Sequence, residues 1–135
     1  MHTPENVGNE SIRPVLQSAR SLRPFIGAKD FALSRSFYRA IGFEEAEISP
    51  DMSVFTAGGQ AFYLQDYYVR EWVDNTMLFL EVEDADRCWE ALHALDLPAR
   101  FPGARLLPVR AESWGRECFL HDPSGVLWHF GQFFD

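Results

Sequence analysis

The feature that most constrains this chain is a turn near its C-terminus, Asp122-Pro123-Ser124-Gly125, set between two strand-forming runs. Pro123 presets φ for the second position of a type I turn, Asp122 can bond its own backbone at the first, and Gly125 suits the fourth. The flanking runs, Arg116 to His121 and Val126 to Phe133, therefore pair antiparallel. Alternation puts Leu127, His129 and Gly131 on one face of the second run, and Trp128, Phe130 and Gln132 on the other. One imidazole thus shares a face with a leucine and a glycine gap.

Upstream, residues 1–22 carry Pro4, Gly8 and Pro14 without sustained periodicity and read as an N-terminal extension to a single domain spanning 23–135. Pro24 to Lys29 reads as a short strand, and Asp30 as the N-cap of a helix whose Leu33, Phe37, Tyr38 and Ile41 recur at helical spacing until Gly42 stops it. Phe43 to Ile48 and Met52 to Ala57 follow as strands, Gly58-Gly59 turns the chain, and Gln60 to Tyr67 returns. After a loop around Val69 to Asn75, Met77 to Glu83 alternates as a strand. Asp84 then caps a second helix with Ala85, Cys88, Leu92 and Leu95 inward, ended by Pro98. Arg100 to Arg110 is proline-interrupted and holds one irregular strand ahead of the hairpin.

Placing Ala28-Lys29-Asp30 over Val82-Glu83-Asp84 brings Tyr38 onto Leu92, Ile41 onto Leu95 and Phe43 onto Leu97 at one common offset. The chain therefore reads as an α+β protein of two βαβββ modules, at about 23–68 and 76–135. Each module has one helix for one sheet face and leaves the other face to be covered by a second module or a second subunit. Two such curved mixed sheets facing each other would enclose a pocket.

Composition narrows the partners. Aromatics reach 15%, with 12 Phe and 4 Trp, a surplus that fills a core or lines a pocket for a flat ligand. The formal charge of −8 argues against nucleic acid and favours cationic or neutral ligands. Cys88 and Cys118 lack a CxxC spacing and read as small buried hydrophobes of a reducing compartment. No apolar run approaches the roughly 18 residues of a membrane span, and the N-terminus lacks a signal pattern, so a cytoplasmic protein is expected. Nor is there a Ser-His-Asp order, a phosphate-cradling glycine loop or a dense carboxylate pair.

Several stretches together resemble the vicinal oxygen chelate superfamily, and within it the glyoxalase and bleomycin-resistance branch. They are Lys29-Asp30 opening a helix with Phe37-Tyr38 and an Ile41-Gly42-Phe43 exit, Val82-Glu83-Asp84 opening the second helix, and Trp114-Gly115-Arg116-Glu117 running to the turn and Trp128. The resemblance spans roughly Arg23 to Phe133. It implies paired βαβββ modules, a homodimer and a pocket between eight strands. Some members hold a divalent metal for isomerase, lyase, dioxygenase or epoxide-opening chemistry, while others bind a drug or metabolite without one.

Metal-dependent members take one ligand each from the first, fourth, fifth and eighth strands, usually His and Glu. Carried over, those positions fall here on Arg23, on Gln65 or Tyr63, on Met77 and on His129. Only His129 is a good ligand, so the resemblance implies a metal-free pocket without cofactor or catalytic residues. The expected lining is Tyr63, Gln65, Met77, Phe79, Glu81 and His129, which suits an aromatic or cationic small molecule. Trp114, Trp72 and Tyr67-Tyr68 cap that pocket or pack in the dimer contact. Phe25, Phe62, Trp89 and Trp128 fit core packing, and His121 and Glu117 flank the last turn. Two rival readings are an enzyme with a nonstandard metal site around His129 and Glu81, and a partner-binding module whose pocket has collapsed.

Overall fold

Two aspartates at equivalent places in the sequence open the two helices around which this chain is built. The computed structural model describes residues 4–135, the side chains of residues 4–9 excepted. The elements run α1 (Pro4–Gln17), β1 (Phe25–Gly27), α2 (Phe31–Ala40), β2 (Glu44–Ser49), β3 (Met52–Ala57), β4 (Gln60–Gln65), α3 (Arg70–Val73), β5 (Met77–Glu81), α4 (Ala85–His93), α5 (Leu97–Arg100), β6 (Arg105–Ala111), β7 (Gly115–His121) and β8 (Leu127–Phe133). Asp30 accepts from the Leu33 N–H to begin α2, and Asp84 accepts from the Arg87 N–H to begin α4.

The strands form two four-stranded mixed sheets of the same plan, β1-β4-β3-β2 and β5-β8-β7-β6, with β1 parallel to β4 and β5 parallel to β8. The two βαβββ modules read from the sequence are therefore present, and the sheets do not close into a barrel. The last hairpin has the expected turn: the Gly125 N–H donates to the Asp122 carbonyl at 3.1 Å. Asp122 Oδ1 also accepts from the N–H groups of Ser124, Gly125 and Val126, each at 2.9 Å. That turn sets the register, His121 opposite Leu127, Phe119 opposite His129 and Glu117 opposite Gly131.

Helices α2 and α4 each cover one face of their own sheet. Phe37 and Tyr38 of α2 pack with Phe55, Phe62 and Leu64, while Leu92 of α4 packs with Cys118, Leu120 and Phe130, all within one continuous core. The covered sides also meet each other, since the Trp128 ring lies 5.4 Å from Phe62, 5.7 Å from Phe43 and 5.9 Å from Tyr38. Tyr38 donates to Asp122 Oδ2 at 2.6 Å, and the Lys29 N–H donates to Ser124 Oγ at 2.9 Å, so α2 and its entry hold the β7–β8 turn.

Four local expectations need correction. Residues 4–17 are helical, with Pro4 in the first turn, where a missing N–H is harmless; the interior Pro14 had argued against a helix. The loop expected around Val69 to Asn75 contains the single turn α3. Pro98 does not end α4, which stops at His93; it sits in the first turn of α5, entered through Asp96 at φ +52°. Phe25 is 59% exposed and lies outside the core, whereas Phe62 and Trp128 are buried and Trp89 is half-buried.

Candidate functional site

The sheet faces turned away from α2 and α4 are where large side chains stay exposed. On the second sheet, register puts Met77, Phe79 and Glu81 of β5, His129, Gly131 and Phe133 of β8, and Glu117 and Phe119 of β7 on one open face. Met77 is 64% exposed, Phe79 47% and Phe133 48%. Burial elsewhere in the chain leaves these residues uncovered because the helix of their module lies behind them.

A glycine shapes the middle of this face. The Phe79 ring lies over β8 at Gly131, where a Cβ would stand 2.2 Å from Phe79 Cζ. From there Phe79 meets Trp114 at 5.7 Å and Phe133 at 5.6 Å, and those two rings meet at 5.2 Å, making an exposed three-ring cluster.

His129 stands between Phe79, stacked at 6.3 Å, and Phe119, edge-on at 4.9 Å. Its Nδ1 lies 2.9 Å from Glu117 Oε1. Glu117 is buried, and the His129 side chain keeps 23% of its surface exposed. Farther along the face the Arg110 guanidinium sits 5.6 Å above the Phe119 ring, and Arg105 lies 3.3 Å from His121 Nε2. Burial, followed by the nearby Arg105 charge, pushes the His121 imidazole below its usual value.

The open face of the first sheet is smaller. Tyr63 stacks on Phe25 at 4.8 Å and accepts from Arg23 at 3.2 Å. Gln65, opposite Gly27, lines a notch of about 180 Å³ with Phe25, Tyr67 and Trp72.

The six residues expected to line one pocket, and Trp114 expected to cap it or pack in the dimer contact, are thus divided in a single chain. Met77 and Phe79 line a cleft of about 390 Å³ with Arg23 and Trp128, while Glu81 and Phe79 line a groove of about 610 Å³ with Gly58 and Phe133. Tyr63 and Gln65 lie on the first sheet, His129 lies on the second, and Trp114 sits just before β7. Among the described residues no hydrogen bond or ring contact joins the two open faces; the modules meet through their covered sides instead. Of the two ways to cover an open sheet face, a second module or a second subunit, the contacts between modules within one chain use the covered sides. Glu117, placed by the sequence reading beside the last turn, is the buried partner of His129.

The superfamily's metal positions can be tested on their donors. Arg23 is a cation bonded to Tyr63, Met77 offers a thioether, and His129 has one nitrogen engaged with Glu117. Among the described residues no three His, Cys, Asp or Glu side chains come together as a metal-binding group. Such a donor set does not fit a hard or borderline divalent ion.

A scan against protein-family models finds no match, and neither does a search of curated proteins. Solved structures do match. A bleomycin-binding protein from Streptomyces verticillus, solved with copper(II)-bleomycin, is 24% identical with a TM-score of 0.67, covering 82% of this chain and 93% of that one. A lactoylglutathione lyase from Agrobacterium tumefaciens is 15% identical with a TM-score of 0.64, over 85% and 95%. A glyoxalase/bleomycin resistance protein/dioxygenase from Nocardioides is 16% identical with a TM-score of 0.66, over 96% and 94%, so that match reaches into the segment before β1. At these identities the likeness establishes the fold, the paired βαβββ arrangement of the glyoxalase and bleomycin-resistance proteins.

Proposed function

We propose that this chain, built on the fold shared by bleomycin-binding proteins and glyoxalase-like enzymes, is a metal-free protein that binds a small molecule as a homodimer. The observation that carries this reading is the open face of the second sheet, where aromatic rings surround one imidazole and the would-be metal positions hold Arg23, Tyr63 or Gln65, and Met77. Exposed apolar side chains grouped this way mark a surface that binds something. A second copy brings Arg23, Phe25, Tyr63 and Gln65 of its first sheet over that face. The result is one pocket lined by Tyr63, Gln65, Met77, Phe79, Glu81, Trp114 and His129.

The ligand that suits such a lining is a drug or metabolite with an aromatic body, oriented by a few polar groups. Glu81 on the face and a formal charge of −8 favour a cationic one. Among the described residues no helix is long and apolar enough to cross a membrane. The two free cysteines suit a reducing, cytoplasmic setting.

Thermal unfolding of chelator-treated protein tests this reading, with metal-free bleomycin, planar aromatic cations and divalent salts added separately. A ligand present at a hundred times its Kd stabilises the native state by about 2.7 kcal/mol. Stabilisation by an organic ligand in the presence of chelator is expected, together with a dimer in sedimentation. Stabilisation by a divalent ion alone, retained at one per pocket, overturns the metal-free assignment and points to lyase, isomerase or dioxygenase chemistry.

A further inference from the structure

The hydrogen bond between Glu117 and His129 decides which way the imidazole faces a ligand. A carboxylate has no proton to give, so at 2.9 Å from Glu117 Oε1 the His129 Nδ1 must be the donor. The neutral ring then carries its lone pair on Nε2, which has no protein partner among the described residues. Glu117 is held in place: it lies 7% exposed on β7, opposite the glycine over which Phe79 rests. The ring itself is fixed edge-on against Phe119 and beside Phe79, so Nε2 is a directed acceptor among aromatic walls.

We infer that the Glu117–His129 pair makes this face selective for an aromatic ligand that carries an O–H or N–H donor, such as a phenol or an indole, and that this donor bonds to His129 Nε2. The inference rests on the reading of the face as a ligand pocket and adds the chemical sense of its polar anchor. A ligand offering only an acceptor at that point meets two lone pairs and loses its bond. The charged and titratable groups around the ring are Glu117 on β7, Arg110 on β6 above Phe119 and Glu81 on β5, joined in the proposed dimer by Arg23 and Tyr63 of the second copy. Beyond them Glu112 pairs with Arg110, and Arg105 lies beside His121.

The test uses two matched fragment pairs, phenol with anisole and indole with 1-methylindole, in which methylation removes only the donor. Binding is followed by nuclear magnetic resonance of the full-length protein, with long-range proton–nitrogen spectra reporting the His129 tautomer. At about pH 8, where an ordinary imidazole is neutral, free His129 is expected with its proton on Nδ1. Phenol and indole are expected to bind roughly tenfold more tightly than their methylated partners and to shift the Nε2 signal. In His129→Phe both members of a pair bind alike.

A proton on Nε2 in the free protein overturns the inference. So does equal binding of both members with Nε2 unmoved while the Phe79 and Phe133 signals shift, an outcome that leaves the pocket reading standing. Fragments that disturb no signal anywhere on the face remove the pocket reading and the inference together.

Discussion

The Tyr38 hydroxyl lies 2.6 Å from Asp122 Oδ2 and is itself the acceptor for Trp128 Nε1–H at 2.9 Å. These buried bonds join α2 of the first module to the last hairpin of the second, in a place where water reaches none of the three groups. Burial, and after it the Asp122 charge, pushes the Tyr38 phenol well above its usual value, so the hydroxyl keeps its proton and remains the donor. Tyr38→Phe leaves a buried carboxylate oxygen and an indole N–H unpaired. Denaturant unfolding is expected to show a loss of about 2 kcal/mol at unchanged m-value.

Glu45 joins two arginines to the sheet. Burial raises its carboxyl, but hydrogen bonds from Arg35, Ser53 and Arg39 outweigh that effect and hold it below its usual value. A folded-state value below the unfolded one means the contribution is complete above the ordinary carboxylate range and disappears as pH falls through the lowered value. Glu45→Gln is expected to cost about 1.5 kcal/mol at neutral pH. Chemical unfolding from roughly pH 6 to pH 3 should show the wild type and the variant converging.

Gly131→Ala places a methyl group against the far end of the Phe79 ring, which is half-exposed and free to swing aside. The fold is expected to survive with a loss below about 1 kcal/mol. The three-ring cluster with Trp114 and Phe133 opens, and a change in tryptophan fluorescence without a change in far-ultraviolet circular dichroism reports it.

The two thiols differ in access. Cys118 is fully buried, and its hydrogen bond with Cys88, together with burial, pushes its thiol up. The same bond holds Cys88, half-buried on α4, below its usual value. Iodoacetamide added to native protein is expected to modify Cys88 at least about tenfold faster than Cys118, and both alike in denaturant, as read by peptide mass spectrometry.

Glu117 shows how near the sequence came to the site. The Asp122–Gly125 turn dictates that Phe119 lies opposite His129 and Glu117 opposite Gly131, and alternation places Glu117 on the imidazole's face. Counting outward from the turn was enough to put the carboxylate one diagonal step from the ring. Whether that step closes to a hydrogen bond depends on local strand geometry and side-chain torsions, since diagonal neighbours sit roughly 7–8 Å apart at their Cα atoms. The helix at residues 4–17 was hidden for another reason: an interior proline outweighs a few apolar residues when propensity is the only guide.

The sequence by itself determined the two βαβββ modules, the caps at Asp30 and Asp84, the turn at Asp122, and the residues sharing the open face. Each of these is local, following from hydrogen bonding within a few residues or from a fixed side-chain period. Only the tertiary structure decided that the two modules join through their covered sides, with Trp128 against Phe62 and Tyr38 bonded to Asp122. Packing between modules depends on how side chains distant in sequence fill shared volume, and no periodicity encodes that. It leaves Met77, Phe79 and Phe133 uncovered in the single chain.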